Sequence, residues 1–449
     1  MENISSRTNL KTLRAGVVLF VFAVALFFRL DDVVGARVLQ DSVGPYWAAM
    51  RLDGRAHASP YGAGLLIPYL GLLQVAGSLW QATNLLAVFH ALAGPVAAWV
   101  GFRLSPSQWL PGCIIGLLVA ADPGLIDTFL SGAEGYLAPV YVGLLLATTG
   151  WLPWIFFALA MANHPLSIVA LPLIVRRENL APHAWIGIVF CAFLVGVQAV
   201  GWGEPGVSGG DSGVTDAIGA YVHQGGAIAV AALVGPFVAL FRGGAPRQGL
   251  RVIVCFGLLL CVGGWLGYLR DHHLRLLTIP ALACWLVLPS RRMWLLVVLV
   301  VAPNGPNMPP ESGVRASTLG LVSHLGRSIQ PMDGPMVVDR VWVSGGPAVE
   351  PSALMLDLYL RNWGPIAPGS DMVVVLAADA HDLDAHSVPG AVIAEGRGFT
   401  VARAGVDAVR DWSRQFCGMD IRIGGAWDAL SVLQPDITTE EAELWWECP

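Results

Sequence analysis

Charged residues are scarce in this sequence. Only 13% of the 449 residues are Asp, Glu, Lys or Arg, whereas 55% are hydrophobic. Soluble globular domains carry roughly 25% charged residues, and a soluble core of ordinary composition cannot enclose this much apolar surface. The composition therefore excludes an ordinary soluble protein and predicts a chain that crosses a membrane several times.

Several common signatures are also missing. No A-x-A cleavage site follows the first apolar run, residues 15–28, so the basic and apolar N-terminus is predicted to remain as a first membrane helix. No Cys/His spacing indicates a zinc site, and the tail has no glycine-rich phosphate loop. The lack of an internal repeat, and of a charged residue in the middle of an apolar run, argues against a transporter.

Charge divides the chain into two parts. Residues 303–449 contain 9 arginines and 19 acidic residues, a net charge of −10, so the first 302 residues carry +4 of the total of −6. A Pro/Gly/Asn-rich linker is predicted at residues 303–335. The tail alternates strand-like pieces with a helix-like piece, which is typical of a small α/β domain over residues 336–449. The strand-like pieces lie at 336–343, 372–377, 392–395 and 399–402, and the helix-like piece lies at 352–363. Cys417 and Cys448 could form a disulfide if this domain is exported.

The first 302 residues predict a mainly α, polytopic membrane helix bundle. About eleven apolar runs are long enough to cross if some are short or tilted. They lie near residues 13–30, 84–102, 109–121, 136–150, 151–163, 164–175, 184–202, 217–241, 252–268, 274–289 and 292–302. A further apolar piece, residues 61–79, is interrupted by prolines and glycines and is predicted to lie along the membrane interface.

The arginines indicate the orientation. If the N-terminus is inside and residues 61–79 do not cross, nearly every inside loop is basic, as the positive-inside rule requires. These inside positions are Arg103, Arg176, Arg177, Arg242, Arg247, Arg251, Arg291 and Arg292. The large loop 31–83 and the acidic tail domain are then extracytoplasmic, and the chain is predicted to be a multi-pass protein of a bacterial inner membrane.

Acidic residues follow the first helix in this outer loop. Carboxylates beside the bilayer are costly unless they meet water or a partner, which marks Asp31, Asp32 and Asp41 as candidate catalytic acids. Asp31 and Asp32 could equally end the first helix in water. Asp41, followed by Ser42 and Pro45, also fits a helix N-cap.

Basic and imidazole groups are predicted on the same face. The most concentrated cluster is Arg270, His272, His273 and Arg275. It is a candidate site for a lipid-linked phosphate, because guanidinium groups bind phosphate oxygens bidentately. The alternatives are arginines that snorkel or pair with Asp271 and histidines with structural roles. Three further residues are candidate substrate contacts on this face: His57, Glu134 and His164.

The membrane part, residues 13–302, resembles the glycosyltransferase C (GT-C) superfamily, in the branch of protein-mannosyltransferase-like and aminoarabinose-transferase-like enzymes. The similarity lies in Asp41-Ser42-Val43-Gly44-Pro45-Tyr46-Trp47-Ala48-Ala49 followed by Ser59-Pro60-Tyr61, in Asn163-His164-Pro165, and in Arg275-Leu276-Leu277-Thr278-Ile279-Pro280. Ser42 stands where the branch often has a second acid, and Leu276 where an aromatic residue is usual.

The resemblance implies transfer of a sugar from a polyprenyl-phosphate carrier to an acceptor on the outer face of the membrane. Asp41 is the expected general base, with Asp31 or Asp32 next, and Arg270 and Arg275 would stabilise the leaving phosphate. The resemblance implies no particular cofactor and leaves a divalent metal open. Expected partners are the lipid-linked sugar, membrane lipid and an acceptor, without nucleic acid. The alternatives are a non-catalytic scaffold with a partner-binding exported domain, or a transporter.

Overall fold

The computed structural model describes residues 2–30, 46, 69, 71–130, 137–175, 185, 188–189, 192, 213–242, 246–265, 267, 269–288, 293, 296, 318–328, 337–342, 353, 356–357, 360–361, 372–378, 390–396, 399–405 and 422–425. The chain divides into two compact units. The first comprises Met1–Val34, Ala56–Pro68 and Leu86–Gly313, and the second comprises Gly35–Arg55, Tyr69–Leu85 and Val314–Pro449.

Helices account for most of the described part of the first 302 residues. In chain order they are α1 (Glu2–Phe27), α2 (Leu79–Ala91), α3 (Ala93–Leu104), α4 (Leu110–Ala120), α5 (Pro123–Leu130), α6 (Ala138–Ala147), α7 (Leu152–Asn163), α8 (Leu171–Ile174), α9 (Val214–Phe241), α10 (Pro246–Trp265), α11 (Asp271–Leu274) and α12 (Thr278–Ala283). Three 3-10 helices complete the set: Pro165–Ala170, Arg275–Leu277 and Cys284–Val287.

Proline marks many of these helix starts. Pro111, Pro139 and Pro153 lie in the first turn of α4, α6 and α7, where the missing N–H costs nothing and the fixed φ angle suits the helix. Several apolar runs of the sequence are thereby cut into short helices with defined starts.

In the described part of the chain, four helices are long and apolar enough to cross a membrane: Leu10–Phe27, Leu79–Leu104, Val214–Phe241 and Pro246–Trp265. A bent pair, Leu110–Ala120 with Pro123–Phe129, makes five if it is one span. Shorter apolar helices lie at Ala138–Ala147, Leu152–Asn163 and Pro165–Ile174 within the described residues. The chain is therefore a multi-pass, helical membrane protein, while the predicted total of eleven crossings and their orientation stay predictions.

Small residues allow the helices of the first unit to approach closely. A Cβ on Gly101 of α3 would collide with the backbone of Gly112 on α4, and a Cβ on Gly116 would meet Ala98 at 2.8 Å. Without a hydrophobic driving force between helices in lipid, such close backbone packing is a main source of association. The buried core that results joins α3, α4, α6, α7, α9, α10 and α12.

The second unit contains a helix, α13 (Thr318–Ser328), and a five-stranded sheet. The strands are β1 (Val337–Trp342), β2 (Met372–Ala378), β3 (Ala391–Gly396), β4 (Phe399–Gly405) and β5 (Arg422–Gly425). Their order is β3-β4-β2-β1-β5, with β1 and β2 parallel and the other pairs antiparallel. β1 to β4 lie at the four strand-like pieces that the sequence indicates, and β5 is an addition.

Candidate functional site

Arg275 lies at the centre of a buried ion pair in the first unit. Its side chain is fully buried, and Nη1 is 3.5 Å from Oδ1 of Asp122, which is also fully buried. Nη2 donates to the carbonyl oxygen of Tyr221 at 2.9 Å, and the guanidinium carbon lies 4.2 Å from the centre of the Tyr221 ring. Three types of contact therefore fix one guanidinium group: an ion pair, a hydrogen bond and a cation–π contact.

Two glycines make room for this guanidinium. A Cβ on Gly124 of α5 or on Gly225 of α9 would collide directly with the Arg275 side chain. Next to Gly225, Gly226 has φ of +54° and breaks the regular geometry of α9. This backbone conformation is one that residues with a side chain adopt only at a cost. The two helices thus form a socket for Arg275 that depends on glycine.

Asp122 has a second role at the start of α5. Its Oδ1 accepts the backbone N–H of Gly124 at 3.0 Å, and its carbonyl oxygen accepts the N–H of Ile126 at 3.0 Å. Asp122 is therefore the N-cap of this helix, with Pro123 in the first helical position. A local helix start positions the carboxylate that pairs with Arg275.

Arg29, at the end of α1, forms a second buried centre. Its Nη1 donates to the carbonyl oxygens of Ala25 and Ala120, at 2.8 and 2.9 Å, and its Nε donates to Nδ1 of His90 at 2.7 Å. Asp122 is within electrostatic reach of Arg29 as well as of Arg275. Two guanidinium groups therefore lie near one buried carboxylate.

Three histidines from two segments meet close to Arg275. The ring of His164 lies 4.8 Å from that of His273, and the ring of His272 lies 4.2 Å from that of His273. His164 follows α7, and the other two belong to α11. This set is called the histidine cluster below. It brings together three residues that the sequence predicts as substrate contacts.

Local backbone contacts fix the protonation of two of these rings. Nδ1 of His164 accepts the N–H of Leu166 at 3.3 Å, and Nδ1 of His273 accepts the N–H of Arg270 at 3.0 Å. In the neutral ring the proton is then on Nε2. Burial, together with the charges of Arg270 and Arg275, lowers the pKa of His272 to about 3, so this ring is neutral at physiological pH.

The remaining sequence-predicted residues have different placements. Arg270 is exposed, at the residue before α11, whereas Arg275 five positions later is buried. Five predicted residues lie outside the described part of the chain: Asp31, Asp32, Asp41, His57 and Glu134. Of the motif that follows Asp41, Tyr46 is described; it is buried, and its ring packs edge-on against Tyr69 at 4.4 Å.

Sequence reasoning did not single out Asp122, Arg29, His90 or Tyr221 as site residues. A signal was present, because Asp122-Pro123 directly follows an apolar run and is a typical N-cap pair. Within the described residues, no three His, Cys, Asp or Glu side chains are arranged to hold a metal ion.

The comparisons with known proteins concern the fold. No family model matches the chain, and no curated protein matches its sequence. Among solved structures, ArnT from Cupriavidus metallidurans in the apo state matches with a TM-score of 0.50 and 13% identity, over 89% of this chain and 98% of that one. The chain has a GT-C-like fold. ArnT from the same organism bound to undecaprenyl phosphate matches with a TM-score of 0.49 and 14% identity, over 88% of this chain and 98% of that one.

The GT-C-like fold agrees with the superfamily that the sequence motifs indicate. One of those motifs, Asn163-His164-Pro165, contacts the ring of His273, which lies two residues before the run from Arg275 to Pro280. Their proximity could not be read from their separation in the sequence. The fold therefore joins two short and separate motifs into one polar region.

Proposed function

We propose that the chain is a membrane glycosyltransferase that moves a sugar from a polyprenyl-phosphate carrier to an acceptor on the outer face of the membrane. The GT-C-like fold shared with ArnT supports this class of enzyme. A carrier embedded in the bilayer also explains why the catalytic protein is itself a membrane protein, since a polyprenyl chain leaves the bilayer only at high cost.

The observation that carries the proposal is the difference in burial between two arginines. Arg270 is exposed, whereas Arg275 is buried with its charge partly neutralised by Asp122. An exposed guanidinium can bind phosphate oxygens bidentately. We therefore assign the phosphate contact to Arg270, with the imidazoles of His272 and His273 beside it, and a positioning role to Arg275.

The proposed reaction needs one base and one stabilised leaving group. Asp41 takes the proton of the acceptor hydroxyl, with Asp31 or Asp32 as the alternative bases, and the hydroxyl oxygen forms a bond to the anomeric carbon of the sugar. The bond between that carbon and the phosphate oxygen breaks, and its electron pair leaves with the polyprenyl phosphate. Arg270 stabilises the negative charge that develops on this phosphate. His57 and Glu134 remain proposed contacts to the sugar or acceptor.

Turnover of a lipid-linked sugar by the full-length protein in nanodiscs tests the proposal. Purified protein with a radiolabelled undecaprenyl-phosphate sugar and membrane extract as the acceptor source should release undecaprenyl phosphate. Arg270→Ala is expected to reduce this release by on the order of 100-fold, which is typical for loss of one charge-stabilising donor.

Arg247→Ala is the matched control, because Arg247 is also exposed but lies at the start of α10, on the predicted inside face. It is expected to leave turnover unchanged. Wild-type protein that folds and consumes none of the lipid-linked sugars offered would contradict the enzyme and leave a non-catalytic scaffold. Equal rates for wild type and Arg270→Ala would remove Arg270 from the phosphate site.

A further inference from the structure

The turn that links α7 to the 3-10 helix Pro165–Ala170 contains three buried polar side chains. Asn163 and His164 are each 3% exposed, and Ser167 is 0% exposed. Within the described part of the chain, four of their polar atoms have no hydrogen-bonding partner: Oδ1 and Nδ2 of Asn163, Nε2 of His164 and Oγ of Ser167. Buried polar groups are nearly always paired, so four such atoms in five residues require an explanation.

These atoms form a mixed set of donors and acceptors. Nε2 of His164 donates, because its Nδ1 accepts the N–H of Leu166. The amide of Asn163 offers both a donor and an acceptor, and the hydroxyl of Ser167 can do either. A sugar hydroxyl, which also donates and accepts, matches such a set, whereas phosphate oxygens match donors alone.

The turn is connected to the proposed phosphate contact. His164 packs against His273, whose Nδ1 accepts the backbone N–H of Arg270. The His273 ring therefore contacts both the turn and the backbone of Arg270. This arrangement suits a ligand with a phosphate at one end and hydroxyl groups at the other.

The local charges do not favour a cationic sugar. Arg270 and Arg275 both act electrostatically on His272, the third ring of the histidine cluster. Asp122 pairs with Arg275, and Asp271 is the acidic residue next to Arg270 in the chain. An ammonium group placed at the turn would gain no ion pair from it, because Asn163, His164 and Ser167 contribute no negative charge.

From these observations we propose that Asn163, His164 and Ser167 form a binding site for the hydroxyl groups of a neutral sugar. This inference rests on the proposed function, since the sugar is the one attached to the polyprenyl phosphate. It adds to that function a location for the sugar and a substrate class: an uncharged, hydroxylated sugar rather than an amino sugar.

Binding of three lipids to the full-length protein in nanodiscs tests the inference. The probes are undecaprenyl phosphate, undecaprenyl-phosphate hexose and the same carrier with an amino pentose, with affinity measured by titration in native mass spectrometry. Wild-type protein is expected to bind the hexose-bearing lipid most tightly. The variant N163L/S167A is expected to lose roughly tenfold in affinity for that lipid, corresponding to two hydrogen bonds, and to bind undecaprenyl phosphate as before.

Thr148→Val is the matched control. The Thr148 hydroxyl donates to the carbonyl oxygen of Leu144, four residues earlier in the chain, at 2.8 Å. This hydroxyl lies outside the proposed site. This variant is expected to bind all three lipids like the wild type. Any loss that it shares with N163L/S167A reflects a changed fold rather than a lost site.

The outcomes separate the inference from the proposed function. Equal binding of the hexose lipid by wild type and N163L/S167A, or tighter binding of the amino-pentose lipid by the wild type, overturns the sugar site while leaving the enzyme class intact. An equal loss for the hexose lipid and for undecaprenyl phosphate also overturns it, because the turn then serves the phosphate or the fold. Wild-type protein that binds none of the three lipids overturns the proposed function and the inference together.

Discussion

The buried pair of Asp122 and Arg275 is sensitive to single changes. A buried ion pair adds little net stability over apolar residues of similar size, but removing one partner leaves an uncompensated charge in a place without water. Asp122 is also the N-cap of α5, so a change there affects the helix start as well.

Asp122→Asn is therefore expected to lower the free energy of unfolding by on the order of 3 kcal/mol, measured by thermal or SDS-induced unfolding in detergent. Asp127→Asn, in the same helix but exposed, is the control and is expected to change little. The double variant Asp122→Leu with Arg275→Met should regain part of the loss. A double variant as unstable as Asp122→Asn would contradict the ion-pair explanation.

The glycine socket gives a second prediction at the same scale. A methyl group at Gly225 would collide with the Arg275 guanidinium, whereas Gly219, in the same helix, has no atom within 4 Å of an added Cβ. Gly225→Ala is expected to cost about 1–3 kcal/mol through overpacking, while Gly219→Ala should be neutral or slightly stabilising. The unfolding midpoints of the two variants check this, and equal midpoints would show that Arg275 is free to move aside.

Protonation of His272 gives a third prediction. Burial and the nearby arginines lower its pKa to about 3, from an ordinary value of 6.5. Between these two pH values the unfolded chain binds a proton that the folded chain does not, so stability should fall as the pH decreases from about 6.5 towards 3. Unfolding midpoints measured across this range should fall less steeply in His272→Gln. A His272→Gln curve parallel to the wild type would contradict the assignment.

At the scale of elements, Arg29 links the end of α1 to two other helices by hydrogen bonds. It donates to the carbonyl oxygen of Ala120 at the end of α4 and to Nδ1 of His90 in α2. Arg29→Met removes three hydrogen bonds made by a charged donor and is expected to cost roughly 2 kcal/mol or more. Lys11→Met, at an exposed position of the same helix, is the control. Unfolding measurements that give both variants the same stability would show that Arg29 does not hold α1 in place.

Within the described residues, most helices of the first 302 residues lie in apolar runs that the sequence predicts, because apolar segments are the ones that enter a membrane. Their internal geometry was less predictable. The run at 274–289 was predicted as one helix, but it alternates between 3-10 and α turns. Pro280 accounts for part of this, since it lacks the N–H that would bond to the carbonyl of Leu276, at the centre of the 3-10 turn Arg275–Leu277. Similarly, the break of α9 at Gly226 lies next to Gly225, whose contact with Arg275 is distant in sequence.

At the scale of the whole molecule, the sequence did not predict the environments of the residues that it singles out. It placed Arg270 and Arg275 in one phosphate-binding group, whereas one is exposed and the other is buried against Asp122. Burial depends on which helices pack together, and Asp122 precedes Arg275 by 153 positions. The sequence predicts His164 as a substrate contact. Its neighbours Asn163 and Ser167 become candidates only because their side-chain polar atoms are buried without a hydrogen-bonding partner in the described part of the chain.

The proposed function is transfer of a sugar from a polyprenyl phosphate, with Asp41 as the base. One experiment tests it by following a radiolabelled sugar from its undecaprenyl-phosphate carrier into the envelope fraction of membrane vesicles that contain full-length wild type or Asp41→Asn. We predict transfer by the wild type and a reduction of at least about 100-fold in Asp41→Asn, at equal protein levels. Undiminished transfer by Asp41→Asn would contradict the base assignment, and no transfer by the wild type would contradict the claim itself.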